Sequence, residues 1–208
     1  MADSKPKVLN VGGGSKAVRI PTYYRRFEHC LLDIDPKGAP DIVCDARQLS
    51  TLDPGQFDAI YCSHNLEHYY AHDVPRVLRG FLHVLKPDGF AEIRVPDIDA
   101  VMKACVADGL DIEDVLYTSG RGPVRVRDVL YGYGPEIEAS GQDFYAHKTG
   151  FSPRSLARAL RTAGFANIVA RSGRHLEILM LGFRSAPTPA QVSLLDLKLG
   201  DPSAPSAP

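Results

Sequence analysis

The chain has 208 residues, 44% hydrophobic and 24% charged, a balance that suits one globular domain with a real core and excludes a disordered or fibrous chain. A formal net charge of -1 provides no general basic field to gather nucleic acid or an anionic membrane, so both lose weight as partners. No apolar run is long enough to cross a bilayer, and Met1 to Lys7 is polar where a signal peptide would be apolar. A cytoplasmic location is expected.

Lys7 to Val11 reads as a first strand ending in Gly12-Gly13-Gly14, and Cys30 to Ile34 as a second ending in the acidic Asp33 and Asp35. Asp41 to Cys44 and Phe57 to Cys62 give a third and a fourth. A turn at Lys86-Pro87-Asp88-Gly89 precedes a fifth, Phe90 to Val95. Between the fourth and fifth, Val74, Val77, Leu78, Phe81, Leu82 and Leu85 recur at helical spacing. Pro21 interrupts the segment after the glycines, and only Pro36 to Pro40 separates strands two and three. That is too short for an ordinary crossover helix, so a reduced helix layer is expected.

Residues 97 to 149 form a long insertion, with helical pieces expected at Ile98 to Val106, Ile112 to Leu116 and Val124 to Leu130. A loop rich in glycine and tyrosine follows, and the position suits a substrate cover. Ser152-Pro153 starts a further helix that Gly164 ends. Asn167 to Ala170 and Leu176 to Phe183 supply a closing hairpin. The expected organisation is one domain over 1–184 and a Ser/Ala/Pro-rich tail over 185–208, apolar only at Val192 to Leu199 and disordered at its end. Strands alternating with helices imply an α/β fold with a mainly parallel sheet, whose ligands sit beyond the carboxyl ends of the strands. Cys30, Cys44, Cys62 and Cys105 lack paired metal-type spacing and read as reduced thiols, three of them in apolar runs.

Glycines directly after a first strand let the backbone approach a ligand, and Asp33 lies about 20 residues beyond Gly12, where an acid accepts hydrogen bonds from a ribose. With Leu9-Asn10-Val11-Gly12-Gly13-Gly14, Leu32-Asp33-Ile34-Asp35-Pro36, Cys44-Asp45-Ala46, Phe57-Asp58-Ala59-Ile60, Leu66-Glu67-His68, Leu85-Lys86-Pro87-Asp88-Gly89-Phe90 and Ala163-Gly164-Phe165 in this order, the chain resembles the class I S-adenosylmethionine (SAM)-dependent methyltransferases, in particular their small type-11-like group. The likeness covers Val8 to Pro96 and Phe151 to Phe183. It implies a Rossmann-like sheet with an antiparallel C-terminal hairpin, a helical insertion after the fifth strand, and SAM as cofactor. By that resemblance Gly12 and Gly14 flank the methionine part, Asp33 holds the ribose, Asp45 and Ala46 face the adenine, Gly13 and Ile34 also belong to the cofactor site, and Ser63 and His64 lie near the methyl group. The chain departs from the family pattern at Asn10, where relatives carry an acid, and at Lys16, where they carry a third glycine.

Methyl transfer from a sulfonium requires orientation and desolvation above all. An O-directed enzyme benefits from a base, for which His147 and Tyr145 stand ahead of His64 and His68 by position. Small molecules or saccharides are the expected acceptors, and a homodimer is allowed for. Arg121, Arg125 and Arg127 suit an anionic group or a solvated face, and Tyr131, Tyr133 and Tyr145 a sugar or aromatic ring. Two other readings compete. His64-Asn65-Leu66-Glu67-His68 also fits the H-x-x-E-H pattern of a zinc hydrolase, although no third ligand is fixed and no metal ligands are assigned. Asn10, Lys16 and the missing helix suit a non-catalytic partner subunit.

Overall fold

Short runs rich in Val, Leu and Ile become the strands of a seven-stranded sheet. The computed structural model describes residues 5–120 and 122–197. In chain order these comprise β1 (Lys7–Val11), β2 (Glu28–Asp33), β3 (Ile42–Val43), β4 (Phe57–Ser63), α1 (Val74–Val84), β5 (Leu85–Pro96), α2 (Ile98–Asp108), β6 (Val115–Ser119), β7 (Gly122–Arg125), α3 (Val126–Tyr131), α4 (Gly134–Ser140), α5 (Pro153–Ala163), β8 (Asn167–Ser172), β9 (Glu177–Phe183) and α6 (Pro189–Leu194). The sheet order is β3-β2-β1-β4-β5-β9-β8. The first five strands run parallel, and β9 and β8 close the edge antiparallel.

The reduced helix layer is real. Single 3₁₀ turns at Thr22–Arg26, Pro36–Gly38 and Ala46–Thr51 stand where longer helices would otherwise connect the first four strands. On one face α1 and α5 bury Leu78, Phe81, Leu156 and Leu160 against Ile60, Ile93 and Met180. α5 begins where expected: Ser152 Oγ accepts from the Ser155 amide, Ser155 Oγ accepts from the Ser152 amide, and Gly164 ends the helix in the left-handed region.

Among the described residues, no long helix covers the opposite face. Tyr24 from the first 3₁₀ turn covers it together with Leu195 and Leu197, which pack on Val8, Ala59, Phe90 and Phe183. This corrects the reading of residues 185–197 as tail. Thr188 caps α6 in a capping box with Gln191, and Arg171 donates to the Leu195 carbonyl at 2.9 Å, fastening the segment to the sheet. The disorder expected for the last residues concerns 198–208, outside the described residues. Leu195→Ala should lower the unfolding free energy by about 1.5–3 kcal/mol, the burial contribution of such a side chain, as read by urea denaturation. An unchanged midpoint would mean that the segment does not hold to the sheet.

One further expectation is refined and one changes. β5 starts already at Leu85, opposite Phe57, but its register with β4 then breaks, with Ala59 facing Phe90, so Lys86–Gly89 bulges out of the pairing where the turn was expected, and Lys86 forms a 2.8 Å ion pair with Asp58. In the insertion, the helical pieces expected at Ile98 to Val106 and Val124 to Leu130 form as α2 and α3, shifted at their ends, whereas the one expected at Ile112 to Leu116 gives way to strand, with Val115–Ser119 pairing antiparallel to Gly122–Arg125. β-branched Val115, Thr118 and Val124 flank glycines, and Gly122 sits at a φ of 111°, so strand and turn chemistry outweighs the weak helical spacing. The glycine- and tyrosine-rich stretch after α3 contains α4 and a 3₁₀ turn at Asp143–Tyr145.

Candidate active site

β1, β2 and β4 end side by side at Val11, Asp33 and Ser63, and a cleft of about 990 Å³ opens beyond them. Of the residues assigned to the cofactor, Gly12, Gly13, Gly14, Asp33, Ile34, Asp45 and Ser63 line it, as do His64, Tyr145 and His147. Ala46 does not: it is buried in the core beneath, and its backbone interacts with the Tyr69 hydroxyl.

The three glycines serve different ends. Gly12 and Gly14 have φ of 70° and 67°, a conformation only glycine takes readily. A Cβ on Gly12 would meet the Asn65 side chain at 2.1 Å, and one on Gly13 the Asn10 side chain at 2.2 Å, whereas one on Gly14 would point into open space. The first two glycines therefore pack the loop onto side chains beneath it, and Gly14 faces the cleft. Gly38, unnoticed in the sequence, lets the β2–β3 link close on this loop, since a Cβ there would overlap the Gly14 carbonyl.

Asp33, 7% exposed, fixes the loop against β2: Oδ2 accepts from the Gly14 amide at 2.8 Å and Oδ1 from the Asp35 amide at 2.9 Å. A carboxylate has about four acceptor sites, so the cleft side keeps capacity for a ribose diol. Asp45 is committed to Arg47, whose guanidinium forms a 2.6 Å ion pair with it and reaches Asp73 at 3.4 Å. Burial pushes the Asp45 carboxyl up, but the Arg47 hydrogen bonds and charge outweigh it and hold the group low. Asn10 approaches His29 Nε2 at 3.2 Å, and Lys16 pairs with Asp41 at 2.6 Å, so both departures from the family pattern have local partners.

The other end of the cleft is built by two segments about 80 residues apart. The Lys148 and Thr149 amides donate to the Glu67 carbonyl at 2.8 and 3.2 Å, and the His147 amide donates to the Tyr131 carbonyl at 3.0 Å. These bonds bring His147 beside the turn Leu66–His68. His147 Nδ1 donates to the Val129 carbonyl at 2.9 Å, which leaves Nε2 with its lone pair, 3.9 Å from Glu67 Oε1. Burial lowers the His147 pKa against the opposing charge of Glu67.

In the sequence Glu67 stands out only as part of Leu66-Glu67-His68 and of the H-x-x-E-H pattern. It is 1% exposed, and neither carboxylate oxygen has a hydrogen-bond partner among the described residues. His64 Nδ1 stands 3.5 Å from its Oε1, an ion-pair separation, and His64 Nε2 lies 2.9 Å from Glu177 Oε2. Desolvation works against charge on His64, but Glu177 and Glu67 together raise its pKa to about 10. Burial likewise opposes ionisation of Glu67, and the charged His64 beside it outweighs that, leaving its pKa low.

The H-x-x-E-H hydrolase constellation does not form. Leu66–His68 is a single 3₁₀ turn, His64 lies in the left-handed region at a φ of 50°, and His68 Nε2 contacts the His64 carbonyl rather than facing its ring. The arginine reading also changes: Arg125 donates to the Glu113 carbonyl, Arg127 pairs with the Glu113 carboxylate at 2.9 Å, and neither lines the cleft. Arg121 lies outside the described residues. Tyr131 points to solvent, whereas Tyr133 and Tyr145 line the cleft with Tyr117, which had not been singled out.

A glycine loop with one open face, a strand-end carboxylate beside it and an exposed Ile34 at the rim are the features that a nucleoside cofactor such as SAM requires. The comparisons agree. A family model described as "Methyltransferase domain" matches residues 1–170. A search of curated proteins finds no match. Among solved structures, a SAM-dependent methyltransferase from Thermotoga maritima is 14% identical, with 88% of this chain and 84% of that one covered at a TM-score of 0.51. The PH0226 protein from Pyrococcus horikoshii is 15% identical, covering 86% and 83%, with a TM-score of 0.55. The 1,6-didemethyltoxoflavin-N1-methyltransferase from Burkholderia thailandensis, solved with S-adenosylhomocysteine bound, is 15% identical, covering 86% and 71%, with a TM-score of 0.52. No helix among the described residues is long and apolar enough to cross a membrane. The chain belongs to the methyltransferase domain family and is a class I SAM-dependent methyltransferase.

Proposed function

We propose that this enzyme transfers the SAM methyl group to a hydroxyl of a small polar acceptor such as a saccharide. The observation that carries this reading is the grouping of His64, His68 and His147 at one end of the cleft. A neutral hydroxyl is a weak nucleophile and needs assistance in losing its proton, which an imidazole lone pair at His147 Nε2 supports. Tyr117, Tyr133 and Tyr145 offer flat, hydroxyl-bearing faces of the kind that stack on sugar rings. In this reading His147 activates the acceptor, His64, charged between Glu67 and Glu177, supports that end of the cleft electrostatically, Tyr145 orients the acceptor, and Gly12, Gly13, Gly14, Asp33, Ile34, Asp45 and Ser63 hold the cofactor. The insertion 97–149 contributes the acceptor wall and excludes water. The 1,6-didemethyltoxoflavin enzyme has a small heterocyclic acceptor bound, which supports the size class but not the atom methylated.

The test is transfer of an isotope-labelled methyl group from SAM to panels of monosaccharides, phenols and amines, with products identified by mass spectrometry. A methyl ether is expected, and products methylated only on nitrogen or carbon would overturn the O-directed reading. For the cofactor end, Asp33→Ala should weaken S-adenosylhomocysteine binding by roughly 1.5–3 kcal/mol, the range for hydrogen bonds to a charged group, or about ten- to more than a hundredfold. Calorimetry checks it, and undiminished affinity would remove Asp33 from the cofactor site.

A further inference from the structure

Glu67, His68 and His147 form a cluster of which methyl transfer, as described above, uses only the imidazoles and leaves the buried carboxylate between them without a role. One donor atom from each lies within 4.8 Å of the other two. Glu67 is 1% exposed and neither carboxylate oxygen accepts a hydrogen bond among the described residues, which is costly for a buried carboxylate even with His64 Nδ1 3.5 Å away as its counterion. The imidazoles beside it are oriented but not consumed. His147 donates from Nδ1 to the Val129 carbonyl, which directs the free Nε2 toward Glu67 Oε1 at 3.9 Å, too far for a hydrogen bond. The two ring nitrogens of His68 each face a carbonyl at 3.1 Å, Ala146 for Nδ1 and His64 for Nε2. A neutral imidazole has one N–H, so one of these nitrogens presents a lone pair to an oxygen and gains nothing from the contact.

Two imidazoles and a carboxylate with unused lone pairs, the rings held by backbone carbonyls through their other nitrogens, have the composition and the outer support of a metal site. Ligand bonds of about 2.0–2.2 Å require the three donor atoms, now within 4.8 Å of one another, to draw closer around the ion. We propose that Glu67, His68 and His147 bind one mid-row divalent cation such as Zn²⁺, Co²⁺ or Mn²⁺, the ions that imidazole and carboxylate donors favour together. Three protein ligands leave open positions, and because His68 and His147 line the cleft while Glu67 lies behind them, those positions face the acceptor.

The role of the cation rests on the O-directed reading above. An acceptor hydroxyl bound to it loses its proton more readily. The O–H bond breaks and the proton passes to water, an oxygen lone pair forms the O–CH₃ bond, and the S–CH₃ bonding pair returns to sulfur. The products are a methyl ether, S-adenosylhomocysteine and one proton. His147 then acts on the hydroxyl through the cation rather than by taking its proton directly. This site differs from an H-x-x-E-H hydrolase centre, because His64 is held by Glu177 and the third ligand comes from residue 147.

The test uses full-length protein without an affinity tag, stripped with a chelator and titrated with Co²⁺. One equivalent should bind with a visible d–d absorption spectrum, and Zn²⁺ should displace it. Glu67→Gln and His147→Gln should each weaken Co²⁺ binding at least tenfold, whereas His83→Gln, whose ring contacts the Leu52 carbonyl away from the cleft, should not. Should the site variants fail to fold, anomalous scattering from Zn²⁺-soaked wild-type crystals locates the ion directly. Absence of stoichiometric Co²⁺ or Zn²⁺ binding, retention of it in both site variants, or an anomalous peak elsewhere would overturn the proposal. S-adenosylhomocysteine calorimetry on the same stripped protein separates the two failures: cofactor binding without metal binding rejects this site alone, whereas a methyl product only on nitrogen or carbon rejects the O-directed reading beneath it.

Discussion

His147→Gln should reduce methyl transfer by roughly 10²–10⁴-fold, the usual contribution of a positioned proton-transfer group, while S-adenosylhomocysteine affinity stays near that of the wild type. Glutamine keeps a polar atom near the position of Nε2 but no basic lone pair, so the backbone contacts of the 147–149 segment with Tyr131 and Glu67 can persist. The cofactor end is unaffected, because the carboxylate of Asp33 and the glycine loop hold each other independently of this segment. Single-turnover rates with saturating SAM report the chemistry apart from binding. If turnover falls but Co²⁺ binding is unchanged, His147 acts as a base; if both are lost, it acts as a ligand. Unchanged turnover would place His147 outside the chemistry.

What the sequence made legible follows from the range of the interactions involved. The five parallel strands, α1, α5 and the closing hairpin are local patterns of apolar period and end signals, and Ser152 and Gly164 close α5 within its own neighbourhood. The cofactor end is similarly local, because each residue stands at the end of a strand already recognisable as one. The acceptor end is not. Glu67 meets His147 only because residues 147–149 pair with the Glu67 and Tyr131 carbonyls, and nothing in the spacing of either segment announces that bond. The hairpin at Val115 to Arg125 escaped because helical recurrence of a few apolar residues cannot be told from strand pairing until the partner strand is known. Composition also misled at the C-terminus: Ser, Ala and Pro suggested a tail, but Leu195 and Leu197 join Tyr24 on a sheet face that no long helix among the described residues covers.

Glu92→Leu should lower stability by about 3–5 kcal/mol, the range for breaking a buried ion pair by removing one partner. At roughly 2–4 °C per kcal/mol for a chain of this size, the melting temperature should fall by about 6–20 °C. Glu92 is fully buried in the centre of β5. Its Oε2 accepts from the Tyr23 and Tyr24 hydroxyls at 2.5 and 3.0 Å, and its Oε1 pairs with the Arg94 guanidinium at 2.8 Å. Burial and the neighbouring carboxylate raise the pKa of both tyrosines, so their hydroxyls stay protonated and donate. Leucine fills the volume but leaves two buried donors and one cation without their acceptor. Arg94 is 24% exposed and keeps Glu177 at 3.6 Å, which favours the lower half of the range. The double variant Glu92→Leu, Arg94→Leu should recover much of the loss, because removing both charges removes the stranded cation as well. Glu177 also holds His64 at 2.9 Å, so freeing Arg94 to compete for it should loosen His64 and slow methyl transfer without weakening cofactor binding. A single variant with an unchanged melting temperature would mean that this network contributes no stability, and the Tyr23 and Tyr24 hydroxyls would then have to be satisfied without Glu92.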